Sequence, residues 1–182
     1  MPQIKVHEKA LAHLSRGLYR SPASALRELV SNAWDANAQV VRIDTNYPNF
    51  YQLSIEDNGD GFTRDEFQEL MEGGIGNSQK RPLNRRLSYG RPVIGRLGIG
   101  MLGIAQVCGG FTIASKTRNG EGFRARVRLY DFIKERLDKN DPELVEVSSE
   151  LNGEPAKEVH VGVYDFEEYD PAVLKHGTHS GG

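Results

Sequence analysis

The chain has 182 residues, 38% of them apolar and 26% charged, and 25 acidic side chains against 23 basic ones leave a net charge of −2. That length suits one domain with a sizeable core, and the near-neutral balance does not indicate a nucleic-acid or membrane-surface binder. The single cysteine, Cys108, excludes an internal disulfide, the opening MPQIKVHEKALAHL lacks the apolar run of a signal peptide, and no stretch reaches the roughly 20 apolar residues of a membrane span, so a cytoplasmic protein is expected.

His7 to Arg16 reads as a short amphipathic helix. Ser21-Pro22 is a helix start, with Ser as N-cap and Pro in the first turn, and predicts a longer helix to about Asn37. Gln39 to Asp44 and Tyr51 to Glu56 carry the β-branched, alternating pattern of two strands joined as a hairpin, so two strands are expected before the Asp57-Asn-Gly-Asp-Gly61 turn. Thr63-Arg-Asp-Glu66 has the capping-box pattern and predicts a helix to about Met71. Eight of the 20 glycines then fall between Gly73 and Gly103, which with Pro82 and Pro92 implies a long irregular segment suited to a lid. Ile99 to Val107 resumes as an apolar helix. Gly110 to Lys116 and Gly122 to Tyr130 read as a second hairpin with Asn119-Gly120 at its tip, and a further strand is expected over Glu158 to Tyr164.

Charge is distributed unevenly along this plan. From Gly73 to Gly120 there is no Asp or Glu, yet eight basic residues occur: Lys80, Arg81, Arg85, Arg86, Arg91, Arg96, Lys116 and Arg118. Between Asp131 and Asp170 the sign reverses. The middle of the chain is therefore suited to meet an anion.

Three elements could carry chemistry. At about 100° per residue, Glu28, Asn32 and Asp35 share one face of the helix Arg27 to Asp35, while Leu26, Leu29, Val30 and Ala33 gather on the other; a solvated polar stripe on an amphipathic helix would look the same. The Asp57 to Gly61 turn has two glycines that permit backbone conformations other residues resist. As a tight turn it needs no further role, and as a calcium loop counted from Glu56 it fails, because position 12 is Phe67 where a bidentate Glu is required. Val93-Ile-Gly-Arg-Leu-Gly-Ile-Gly-Met-Leu-Gly103 runs into a helix, so free N–H groups and the positive helix end meet where a phosphate would fit. It is not the usual P-loop, since no Gly-Lys pair occurs.

In this order the three elements resemble the Hsp90-like, or GHKL, ATP-binding superfamily of gyrase B, Hsp90, histidine kinases and MutL, with the Microrchidia ATPases close by. Glu28-Leu-Val-Ser-Asn32-Ala-Trp-Asp35-Ala looks like its first motif, Asp57-Asn-Gly-Asp-Gly61 its second and Gly95-Arg-Leu-Gly98-Ile-Gly100 its third, while His176-Gly177-Thr178 resembles the Gly-Thr of a late strand near the adenine. The resemblance implies an α/β (α+β) two-layer sandwich, the Bergerat fold, in which a mixed, largely antiparallel sheet is covered by helices on one face. Residues 1–182 would be a single ATP-binding domain with a lid at about 73–98, the front part of a larger protein.

The same resemblance assigns roles. Asp57 would accept a hydrogen bond from the adenine amino group, with Gly61 and Thr178 completing the contact through water, and Asp35 and Gly59 belong to the same nucleotide-binding motifs. Asn32 would ligate Mg²⁺, and Glu28 would orient and deprotonate the attacking water. Gly95, Gly98, Ile99, Gly100, Met101, Leu102 and Gly103 would wrap the phosphates, and Ser78 and Lys80 sit where lid residues approach nucleotide. The implied activity is slow Mg-dependent ATP hydrolysis driving a lid and dimerisation switch, with ATP, ADP and a second copy of the chain as partners. The resemblance also implies a following transducer domain that supplies a lysine to the γ-phosphate, a role for which Lys80 or Arg96 would be the substitutes within these residues, and, with only His179-Ser-Gly-Gly182 after Thr178, either the last strand is absent or the chain is the front piece of a larger protein. Phosphotransfer as in a histidine kinase, a non-hydrolysing ATP-sensing module and a plain interaction domain remain as alternatives. The kinase reading is opposed by Glu28 and by the lack of a phosphoacceptor motif around His7, His13, His160, His176 or His179.

Overall fold

The computed structural model describes residues 1–7, 22–73, 90, 104, 108–130, 158–170, 172 and 177–181, with backbone alone at 7, 22, 158 and 177–181. Among the described residues seven strands form one sheet: β1 (Gln3–His7), β2 (Val41–Asp44), β3 (Ser54–Asp57), β4 (Gly110–Lys116), β5 (Gly122–Leu129), β6 (Glu158–Glu167) and β7 (Gly177–Gly181). Their order is β1-β6-β5-β4-β7-β3-β2, and all six pairings are antiparallel. Helices α1 (Pro22–Asp35) and α2 (Arg64–Glu72) supply the second layer. The α+β two-layer architecture expected from the sequence is the one observed.

Alternation builds the sheet. In β5, Phe123, Ala125, Val127 and Leu129 are buried while Arg124, Arg126 and Arg128 are exposed, the inward-outward pattern of a sheet covered on one face. On the open face these arginines meet β6 carboxylates: Arg124 Nε lies 3.0 Å from Glu167, Arg126 2.7 Å from Glu167 and Arg128 3.6 Å from Asp165. Such exposed pairs each contribute on the order of 0 to 1 kcal/mol and serve register more than stability. On the covered face Phe67 of α2 is the hub, with ring centroids 4.9 Å from Phe123, 5.3 Å from Tyr164 and 5.9 Å from Phe166. The buried Ile4 and Val6 of β1 join the same core.

Helix α2 starts where its sequence says. The Thr63 hydroxyl accepts the Glu66 N–H and the Glu66 carboxylate accepts the Thr63 N–H, at 3.2 and 2.8 Å, completing the capping box. Both hairpins also form, though β2 begins at Val41 and β3 at Ser54, later than the Gln39 and Tyr51 expected.

Four expectations need correction. His7 ends a strand instead of opening a helix, because Ile4 and Val6 alternate with Gln3 and Lys5 and fill the edge beside β6; residues 8–16 of that expected helix lie outside the described residues. Among the described residues three strands, not two, therefore precede the Asp57 turn. The strand after Thr178 is present, for β7 hydrogen-bonds to both β4 and β3 in the middle of the sheet. On α1, Val30 is 38% exposed and Ala25 takes its place in the buried face with Ala33. The expected lid over 73–98 and helix over 99–107 lie outside the described residues, apart from Gly73, Gly90 and Ile104.

Candidate functional site

The Asp57–Gly61 turn is fastened on three sides. The Asp57 carboxylate accepts the Gly59 N–H at 2.8 Å, which turns the chain at the end of β3 and fixes the orientation of the carboxylate. The Asn58 side-chain oxygen accepts the N–H groups of both Gln39 and Val40, each at 2.8 Å, so the turn holds the loop between α1 and β2. The Asp60 N–H donates to the Ala36 carbonyl at 2.7 Å, joining the turn to the C-terminal end of α1. Asp60 also pairs with Arg118 at 2.6 Å, so one base of the acid-free segment already has an anionic partner.

The two glycines of the turn are there for close approach. A Cβ on Gly59 would stand 2.7 Å from the Ala36 carbonyl oxygen and 3.0 Å from the Ala36 side chain. Gly61 has φ +66°, and a Cβ there would run into the Lys116 carbonyl. Only without side chains can the turn lie between α1 and the end of β4.

Strand β4 brings a further residue that the sequence reading missed. Phe111, Ile113 and Ser115 point to the covered face, and Ser115 is fully buried. Its hydroxyl accepts the Phe62 N–H at 3.0 Å. A lone serine at the inward position of an apolar alternation was the available signal. Ser115 is opposite Thr178 in the β4–β7 pairing, and the β3–β7 register, continued one residue past Glu56↔His179, sets Thr178 opposite Asp57. Asp57, Gly61, Ser115 and the backbone of Thr178 thus meet on one part of the sheet.

Along α1, Glu28, Asn32 and Asp35 are all half-buried on one flank, beside the buried Ala25 and Ala33. At 1.5 Å rise per residue, Asn32 stands about 6 Å and Glu28 about 12 Å up the helix axis from Ala36, where the turn is attached. The helix and the turn attached at its C-terminal end thus carry these side chains as one set. Its carboxylate and carboxamide oxygens are the hard donors that Mg²⁺ prefers, and among the described residues no three His, Cys, Asp or Glu side chains converge as a metal cage. That donor set fits a Mg²⁺ held by one or two protein oxygens together with phosphate oxygens. Ser78, Lys80, Gly95, Gly98, Ile99, Gly100, Met101, Leu102 and Gly103 lie outside the described residues.

The family model of histidine kinase-, DNA gyrase B- and HSP90-like ATPases matches residues 19–159, which include α1, the Asp57 turn and the β4–β5 hairpin. The chain belongs to this family. As a GHKL-type ATP-binding domain it has similar stretches in two other proteins. It is 39% identical over 95 residues to the "Putative type II restriction enzyme HgiDII" of Herpetosiphon aurantiacus, covering 52% of this chain. It is 42% identical over 45 residues to the DNA mismatch repair protein MutL of Lactobacillus delbrueckii subsp. bulgaricus, covering 25% of this chain. The aligned stretches span 15% and 7% of those proteins' own lengths. No helix among the described residues is long and apolar enough to cross a membrane.

Proposed function

We propose that this GHKL domain binds Mg-ATP along α1 and the Asp57 turn and hydrolyses it slowly to ADP and phosphate. The observation that carries the reading is the convergence of Asp57, Gly61, Ser115 and the Thr178 position at one end of α1, with Asn32 and Glu28 further up the same helix. Asp57, oriented by the Gly59 N–H, accepts the adenine amino group. Gly61 and Thr178 complete that contact through water, and Asp35 and Gly59 stand beside the nucleoside. Asn32 would hold Mg²⁺ through its amide oxygen, and the ion would supply positive charge against the phosphates. Glu28, one turn away on the same face, orients the attacking water and takes its proton.

Two further parts belong to this proposal. Gly95, Gly98, Ile99, Gly100, Met101, Leu102 and Gly103 give N–H groups to the phosphates, and Ser78 and Lys80 approach from the lid. Nucleotide orders the lid, and the ordered lid favours association of two copies until hydrolysis resets it. Trypsin sensitivity over 73–98 and the sedimentation coefficient, each measured with and without ATP, test this switch; it is contradicted if neither changes.

Hydrolysis is tested by phosphate release under saturating Mg-ATP. Glu28→Ala should lower kcat by about 10²- to 10⁴-fold with nucleotide affinity retained. Equal release from both proteins would remove Glu28 from the reaction, and ATP returned unchanged by the wild type would favour a sensing module. Because the two relatives' names concern DNA restriction and mismatch repair, a DNA-processing protein is the proposed setting. Stimulation of phosphate release by duplex DNA would support it, and indifference to DNA would count against it.

A further inference from the structure

Strand β2 is the last strand of the sheet and, among the described strands, pairs only with β3. Its Arg42, Ile43 and Asp44 are exposed. An edge of this kind is a template for another strand. Large apolar side chains collect around it: Val40 and Ile43 are about half exposed, and Tyr47, Phe50 and Tyr51 of the following turn more so. Scattered single apolar residues are ordinary, but five on one edge and its adjoining turn mark an interaction surface.

The sequence of the strand decides what fits. Ile43 lies opposite Ile55 of β3, whose side chain is buried on the covered face, so Arg42 and Asp44 point to the open face. Two copies of β2 paired antiparallel about a twofold axis perpendicular to the sheet keep their faces in common, so the axis must pass through a residue facing itself. With Arg42 on the axis, arginine meets arginine. With Asp44 there, aspartate meets aspartate. With Val41 there, Arg42 faces Val40 and no charges pair. With Ile43 on the axis, each Arg42 lies opposite Asp44 of the other copy, and isoleucine meets isoleucine.

We propose that β2 is a homodimer edge: a second copy of this chain adds its own β2 antiparallel, in the register that sets Ile43 against Ile43, and the two sheets become one. The same register brings Val40 of one copy to the Asn46–Phe50 turn of the other, beside Tyr47, and covers the exposed apolar side chains. The association needs no nucleotide and stands apart from the reading of the ATP site.

Sedimentation equilibrium of the nucleotide-free chain over a concentration series tests it. The wild type should be a reversible dimer. Arg42→Asp or Asp44→Arg alone sets like charges opposite each other and should weaken association by on the order of tenfold or more. The double variant exchanges the charges and should recover association. Asp44 also accepts the Asn46 N–H at 2.7 Å, a bond lost in both the single Asp44→Arg and the double variant, so recovery in the double reports the charge pairs. Mild oxidation should cross-link Ile43→Cys into a disulfide dimer and leave Val41→Cys uncross-linked, with Cys108 common to both. A wild type that stays monomeric throughout, single reversals that dimerise like the wild type, a folded double variant that does not recover, or equal cross-linking at positions 41 and 43 would each overturn the proposal.

Discussion

Asn58 shows how much of the turn depends on one side chain. Its carboxamide oxygen takes two backbone N–H groups, and Asn58→Ala leaves both without that acceptor. The expected cost is about 1 to 3 kcal/mol, measured by urea denaturation; a loss within a few tenths would mean that the loop between α1 and β2 is held by other bonds. Gly61→Ala forces a side chain into a left-handed conformation and against the Lys116 carbonyl. It should destabilise by about 1 to 3 kcal/mol and abolish nucleotide binding together. At this scale the motif itself was legible, since Asp57, Gly59 and Gly61 stand in one short run. What holds it was not, because Phe62 reaches Ser115 across 53 positions and Arg118 reaches Asp60 across 58, and no local pattern encodes such pairs.

Elements were legible where their signals are local. The capping box fixed the start of α2, and Thr63→Ala should cost about 1 kcal/mol of thermal stability. The β4–β5 hairpin followed from alternation around Asn119-Gly120. Strand β1 escaped notice because five residues of alternation next to a helical pattern are a weak signal, and its partner β6 is more than 150 positions away. Pairing also brings the Tyr164 hydroxyl of β6 against Glu72 of α2, to which it donates at 2.6 Å. Burial, and then the Glu72 carboxylate, raise the Tyr164 pKa well above its usual value. The folded chain therefore keeps this proton where the unfolded chain loses it. That stability is full below about pH 10, the pKa of an unperturbed phenol, and falls as pH rises above it. Tyr164→Phe should flatten the loss of stability above that pH, and an unchanged alkaline unfolding profile would contradict the coupling.

For the whole molecule, the order of strands has the largest consequence. β7 lies between β4 and β3, so the last of the described strands joins the hairpin that carries Asp57 to the rest of the sheet. The sequence hid this, because Gly177-Thr-His-Ser-Gly181 has neither apolar alternation nor β-branched content beyond one threonine. Its strand form is imposed by the two neighbours that satisfy its backbone groups on both sides. Truncation after Lys175 should separate β2–β3 from the core and expose the Asp57 turn to proteolysis; an intact, protease-resistant product would show that the turn does not depend on β7. Whether Asp57 and its turn hold the base of ATP, as proposed, is tested by calorimetric titration of the chain with a non-hydrolysable ATP analogue and Mg²⁺, alongside Asp57→Ala. Saturable binding to the wild type that disappears in a variant still folded by circular dichroism is the result expected. Equal binding to both proteins, or none to the wild type, would contradict the account.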